Sequence, residues 1–289
     1  MVSSLLALTD PSSPPERGAT VPGEGQIPLA PVLDSNHVVA LAFVIAIYAG
    51  FIGTLLWVLW KVARERDILP MILLVAGLIG ANMEPLGDHV GLIVYAPDIP
   101  WFDYWLMGRQ MPSFIAVGEA SYLVFGCYYL ARLLERGASL KRIGIVSAFW
   151  VGIPEILVEV GWHYAHLISY YGDNPTRILG VPLYSIVQNS TLLPILGVVT
   201  YLGARHLKGV QRWWLVVAIP CVTIGYIVGV SWPVYVALQS SAPHALVWLA
   251  TAFTIAASVG SAYAALQYPE IRARRQTLDA PELTTEAAR

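Results

Sequence analysis

The segment Pro154-Glu155-Ile156-Leu157-Val158-Glu159-Val160-Gly161-Trp162-His163-Tyr164-Ala165-His166 decides how this chain is read. It lies in an otherwise apolar run from Ile143 to Tyr170, long enough to span a bilayer as a helix. At about 100° per residue, Glu155, Glu159, His163 and His166 fall within roughly an 80° arc of that helix. Four ionisable side chains then project along one face at membrane depth. Each is costly against lipid, so the face should turn to the protein interior. A structural polar seam between helices is one reading of it, and a functional site is the other.

The rest of the chain agrees with a membrane setting. Of 289 residues, 56% are hydrophobic and 12% charged, against roughly 25% charged in a soluble domain. Apolar runs occur at about 37–60, 68–96, 111–133, 143–170, 181–204, 213–238 and 244–267, each able to cross roughly 30 Å of hydrocarbon. Lys61, Arg64 and Arg66 follow the first run, and Arg132, Arg136, Lys141 and Arg142 the third. Arg205, Lys208 and Arg212 follow the fifth, and Arg272, Arg274 and Arg275 the seventh, while the opposite side holds only Arg17, Arg109 and Arg177. The positive-inside rule then gives an all-α integral membrane protein of seven helices, N-terminus out and C-terminus in. Residues 1–36, rich in Pro, Ser and Gly, read as a disordered arm, 37–268 as the membrane domain and 269–289 as a cytoplasmic tail. The expected setting is a bacterial plasma membrane. No basic patch points to nucleic acid, and Cys127 and Cys221 make no disulfide framework. The last helix contains no lysine, which excludes a retinal Schiff base.

Two hairpins look like copies of one unit, helices 2–3 and helices 4–5, with helices 6–7 a degenerate third. Glu84 precedes Tyr95 by eleven positions and Asp98 follows three later; Glu159, Tyr170 and Asp173 repeat that spacing. Asp88 then matches His163, and His89 matches Tyr164. Each copy runs through a short loop to a glycine and a proline, Gly108 with Pro112 and Gly180 with Pro182. Seven residues beyond each proline stands Glu119 or Asn189. Both copies start from the cytoplasmic side, so they are parallel repeats. Glu84, Glu159, Glu119 and Asn189 are expected in one layer, around a cavity open to the outer leaflet.

A carboxylic acid in apolar surroundings holds its proton near neutrality and can deliver it to an alkene or epoxide; a second carboxylate or a histidine can take a proton back. Aromatic faces stabilise cationic intermediates. Tyr95, Tyr170, Trp162 and Trp232 are candidates for that lining, although interfacial packing explains most aromatic residues in such proteins.

The block from Glu159 through Tyr170-Tyr171-Gly172 to Gly180-Val181-Pro182 resembles carotenoid-biosynthesis membrane proteins of the bisanhydrobacterioruberin hydratase type. The Gly108, Pro112 and Glu119 block resembles the small membrane lycopene cyclases, with one glutamate where those carry a pair. The hairpin architecture is similar to integral membrane terpene cyclases. The resemblance covers roughly residues 80 to 200, and His163 and His166 stand outside it. It implies an isoprenoid substrate and cyclisation, hydration or isomerisation without a cofactor. Glu84 and Glu159 are then the acid and its counterpart, with Asp88 and His163 as relays. Glu119, Asn189, Glu155, His89 and His166 would line the substrate. Two alternatives stay open. Glu159, His163 and His166, with Glu84, Asp88 or His89, could hold Zn²⁺ or iron in a hydrolase or oxygenase. A small-molecule transporter or receptor would also use a midplane polar layer.

Overall fold

The computed structural model describes residues 28–101 and 103–279; most of the expected N-terminal arm and the last ten residues lie outside them. The architecture is helical. Helix α1 covers His37–Trp60, α2 Leu69–Ala81, α3 Glu84–Gly91 and α4 Ser113–Glu135. Helix α5 covers Leu140–Ser147 and α6 Ile153–Tyr164, joined by a π-helical segment Ala148–Gly152. Then come α7 at Leu183–His206, α8 at Leu215–Leu238, α9 at His244–Leu266 and α10 at Pro269–Asp279. Five helices are long and apolar enough to cross a membrane, six when α2 and α3, bent by 41°, count as one. The expected fourth helix is not a single α-helix: α5 has 8 residues and α6 has 12, with the π segment between.

Prolines explain both interruptions. Pro85 and Pro154 each remove one N–H from the helical ladder, and the backbone yields just before them. At the first, α2 stops at Ala81 and Asn82 caps it, its Nδ2 donating to Leu78 O at 2.7 Å. At the second, the ladder widens into the π segment.

The apolar runs also end sooner as helices than the hydropathy suggests. Leu92, at φ 56°, closes α3 in the left-handed conformation, and Ile93–Tyr95 continues as strand β1. Helix α6 closes at Tyr164, His166 has φ 58°, and Ile168–Tyr170 forms strand β4. Tyr95 and Tyr170 therefore sit on strands rather than helices. The two strands pair antiparallel in the register Ile93 with Tyr170, Val94 with Ser169 and Tyr95 with Ile168. Since Ile93 matches Ile168 and Tyr95 matches Tyr170 between the copies, exchanging the copies maps this pairing onto itself about the Val94–Ser169 pair.

The loops that follow are matched too. Strands β2 (Asp103–Leu106) and β3 (Arg109–Pro112) form a hairpin around Met107 and Gly108, with φ 52° and 73°. Strands β5 (Arg177–Ile178) and β6 (Val181–Pro182) do so around Leu179 and Gly180, with φ 52° and 84°. Positive φ at both central residues is the type I′ geometry that suits the twist of a tight hairpin. Pro112 and Pro182 then cap α4 and α7 in extended conformation, ψ 131° and 132°. Pro243 caps α9 in the same way, ψ 152°.

At this hairpin end Asp98 accepts from Ser35 N at 3.1 Å and lies 3.6 Å from His37, the first residue of α1. Its counterpart Asp173 lies 2.9 Å from His244, the first residue of α9. Residues 28–36 thus reach the hairpins, and Leu33 is buried there. At the opposite end Asp67 binds Arg132 at 3.0 Å, and α10 returns Glu270 to Arg205 and His206.

The centre of the bundle is built by α2, α4, α7 and α8, through Ile72, Leu73, Ala76, Ala120, Leu123, Leu193, Leu196 and Ile219. Small residues set the spacing, as expected where lipid removes the hydrophobic drive between helices. A Cβ on Gly77 would stand 2.8 Å from Ala120 Cα, so α2 and α4 touch backbone to backbone. Leu249 and Phe253 on α9, 66% and 58% exposed, mark a face turned outward.

Candidate functional site

Five carboxyl groups share one interior, between α3, α4, α6 and α7. Glu84 opens α3 and Asp88 follows one turn later; Glu119 stands on α4, and Glu155 and Glu159 on α6. The four glutamates are half-buried, each keeping some accessible surface. Glu119 is in electrostatic reach of Glu84 and Glu159, and Glu155 of Glu84, Glu119 and Glu159.

The two copies present the same pair. Tyr95 donates its hydroxyl to Glu84 Oε1 at 3.4 Å, and Tyr170 donates to Glu159 Oε2 at 3.0 Å. Both tyrosines stand on the strands that pair with each other, so the ribbon that joins the copies also orients both glutamates. The second pair is tighter, because Ser185 Oγ on α7 lies 3.3 Å from the Tyr170 hydroxyl. The first copy has Ile115 near the corresponding place on α4 and no such support.

Asn189 Nδ2 donates to Glu155 Oε1, while Glu155 Oε2 is buried without a hydrogen-bond partner among the described residues. Tyr122 donates to Asn189 O at 3.4 Å. Asp88 is fully buried, and among the described residues neither of its oxygens has a hydrogen-bond partner. Arg109 is within electrostatic reach of it, and its guanidinium donates to Ile93 O, to Tyr171 Oη at 3.1 Å and to His89 Nδ1 at 3.2 Å. Arg177 likewise donates to Tyr170 O and, at 3.3 Å, to Gly172 O. The two arginines tie the ribbon down, and Arg109 also lies within electrostatic reach of Asp88. Tyr104, on the inner side of β2, buries an unpartnered hydroxyl within reach of Glu84 and Asp88, and burial pushes its phenol above the ordinary value.

Other expected residues lie elsewhere. His166 falls beyond the end of α6 in a left-handed turn, so only Glu155, Glu159 and His163 share the helix face. His163 packs its ring against Gly180 and edge-on to Tyr164 at 5.5 Å. His89 is exposed and lies 3.0 Å from Met107 O on the first hairpin, because α3 has carried it out of the bundle. Trp232 is 55% exposed on the outer side of α8. Trp162 does face inward, edge-on to Phe114 at 5.3 Å, with its Nε1 buried and unpartnered.

The donor set for zinc or iron is not assembled. Among the described residues, the one group of three acids or histidines with ligand atoms within 4.8 Å of one another is Asp34, His37 and Asp98 at the hairpin end. Glu159, His163 and His166 do not form such a group: the first faces Tyr170, the second Gly180, and the third has left the helix. Ser185, Arg109 and Arg177 were missed from the sequence; the first is a small residue in an apolar run, and the arginines look like loop charges until the ribbon forms. Comparison with protein-family models, with curated proteins and with solved structures finds no match.

Proposed function

We propose that this chain is an intramembrane acid–base enzyme acting on an isoprenoid or related lipid, by cyclisation, hydration or isomerisation. The observation that carries this reading is the facing pair of glutamates, each held by a tyrosine from the paired strands, with Glu119 in reach of both. Like charges in one apolar interior cannot all ionise together, so such a cluster holds protons it can give. In this reading one glutamic acid adds its proton to a carbon–carbon double bond, leaving a carbocation. A second glutamate then removes a proton from a neighbouring carbon, or activates a water that adds to the cation. Isomerisation and cyclisation return the proton balance to zero; hydration consumes one water. Tyr104, within electrostatic reach of Glu84 and Asp88, would face the cation. Glu159, oriented by Tyr170 and Ser185, is assigned as the base, and Glu84, less tightly held, as the acid.

The same reading completes the membrane topology. The α5–π–α6 stretch makes a seventh crossing, the hairpin end lies outside, and the basic end lies in the cytoplasm under the positive-inside rule. The α2–α4 and α5–α7 units are then parallel repeats about an axis along the membrane normal, with β1 and β4 as the roof.

The test is mass spectrometry of the organic extract from purified wild-type protein and from the Glu84→Gln/Glu159→Gln variant. An isoprenoid that accumulates on the variant and is converted by the wild type supports the reading. Only bulk phospholipid in both extracts overturns it and favours a transporter or receptor.

A further inference from the structure

Helices α1 and α9 begin against the loops of the two copies, and they are held there differently. His244 opens α9, and its Nε2 lies 3.0 and 2.9 Å from the two carboxylate oxygens of Asp173, at hydrogen-bond distance. His37 opens α1, and its Nε2 stops 3.6 Å from Asp98 Oδ2, too far for a hydrogen bond. The difference accompanies a third residue. Three positions before His244 stands Ser241, whereas three positions before His37 stands Asp34. Ligand atoms of Asp34, His37 and Asp98 all lie within 4.8 Å of one another.

That spacing suits the ligands of one ion better than a closed ion pair. Zinc binds carboxylate oxygen at about 2.0–2.2 Å and imidazole nitrogen at about 2.0–2.1 Å, so neighbouring ligands of a tetrahedral ion stand about 3.3–3.6 Å apart. His37 and Asp98 already hold that separation. Asp34 is exposed and has to close by no more than about 1.5 Å, within reach of a side-chain rotation. Asp98 is prepared for the role, because Ser35 N–H donates to both its oxygens, at 3.1 and 3.0 Å. That fixes the carboxylate and leaves a lone pair on each oxygen. The same serine is 5% exposed, and its Oγ has no hydrogen-bond partner among the described residues. A buried hydroxyl in that state calls for a partner, and a water on the open position of a three-ligand zinc can supply one. The charges agree. The N-terminus of α1 adds about half a positive charge, which the two carboxylates outweigh.

We infer that Asp34, His37 and Asp98 form a divalent-metal site, with zinc the best-fitting ion and water completing its coordination. Two carboxylates with one imidazole make a mixed oxygen and nitrogen set, which suits zinc better than calcium or magnesium. The ion joins the segment before α1 to the first loop, where the second copy uses the Asp173–His244 pair. Leu33, next to Asp34, packs in the apolar cluster that contains Tyr95 and Tyr170. An ion at this point therefore also braces the ribbon behind Glu84 and Glu159. The site uses none of the five interior acids, so its test is separate from any test of the acid–base reading.

The experiment is zinc binding to the full chain, purified without a histidine tag in detergent micelles and stripped of metal with EDTA. Isothermal titration with zinc chloride should show one ion per chain, bound in the micromolar range or tighter. Asp34→Asn and His37→Ala, both at exposed positions, should each weaken binding about 10–100-fold or more. His244→Ala, in the matching pair of the second copy, should leave it unchanged. Zinc should also raise the unfolding temperature of the wild type and of His244→Ala, but not of Asp34→Asn. Absence of stoichiometric binding overturns the site. So does a zinc affinity that Asp34→Asn and His37→Ala leave intact, or one that His244→Ala lowers as much as they do; the group is then a surface ion pair like Asp173 and His244.

Discussion

Replacing Gly180 by alanine should damage this protein more than replacing Gly108, although both occupy the same position of matching hairpins. Both backbones are left-handed, φ 84° and 73°, so each alanine incurs about 1–2 kcal/mol of backbone strain. The surroundings differ. A Cβ on Gly108 meets nothing within 4 Å, whereas one on Gly180 would overlap Cδ2, Cγ and Nε2 of the His163 ring. That ring is set edge-on to Tyr164 and its Nδ1 is buried, so relief requires α6 to shift. Overpacking of this kind costs about 1–3 kcal/mol, which places Gly180→Ala about 2–5 kcal/mol below wild type and Gly108→Ala about 1–2. Equilibrium unfolding in mixed micelles would read both, and His163→Ala should recover the difference in the Gly180→Ala background without helping Gly108→Ala. Equal losses at the two glycines, or no recovery, would refute the claim that the second hairpin holds α6 through His163.

Three further outcomes follow from the same contacts. Asp88→Leu removes a fully buried carboxyl whose oxygens lack hydrogen-bond partners among the described residues, so it should raise stability by about 1–3 kcal/mol in that unfolding assay while lowering conversion of the lipid substrate; a stability loss would show that the carboxyl has a partner. Tyr170→Phe should cost about 1 kcal/mol and Tyr95→Phe less, because the first hydroxyl bonds at 3.0 Å with Ser185 beside it and the second at 3.4 Å alone; the reverse order contradicts the assignment of Glu159 as the better oriented group. Gly77→Ala places a Cβ 2.8 Å from the Ala120 backbone and should cost about 1–3 kcal/mol, because neither helix can yield locally; a neutral result in thermal unfolding would mean that α2 and α4 are not in contact there.

The helices were legible because hydropathy alone marks segments that must bury their backbone polar groups in lipid. The eleven-residue spacing was legible as a pattern, and the fold closes both instances as tyrosine–glutamate hydrogen bonds. What lies between was not. Leu92 and His166 adopt left-handed conformations that their side chains do not announce, so the runs read as helix to Tyr95 and Tyr170 when they end several residues earlier. That error placed His166 on a helix face it never joins. His89 and Trp232 were assigned inward on residue type, but rotation about α3 and α8 is decided by packing partners far away in the sequence. Arg109 and Arg177 became interpretable only once the ribbon supplied carbonyls for them. Gly108 and Gly180, by contrast, stood out as turn residues and occupy positions of positive φ.

The most direct measurement is solvent deuterium incorporation. Purified protein with its lipid substrate is held in D₂O and the recovered isoprenoid is analysed by mass spectrometry, for wild type and for Glu84→Gln/Glu159→Gln. The account predicts deuterium bonded to carbon with the wild type and none with the variant. Equal incorporation by both, or a converted product free of carbon-bound deuterium, would contradict catalysis by proton transfer from these glutamates.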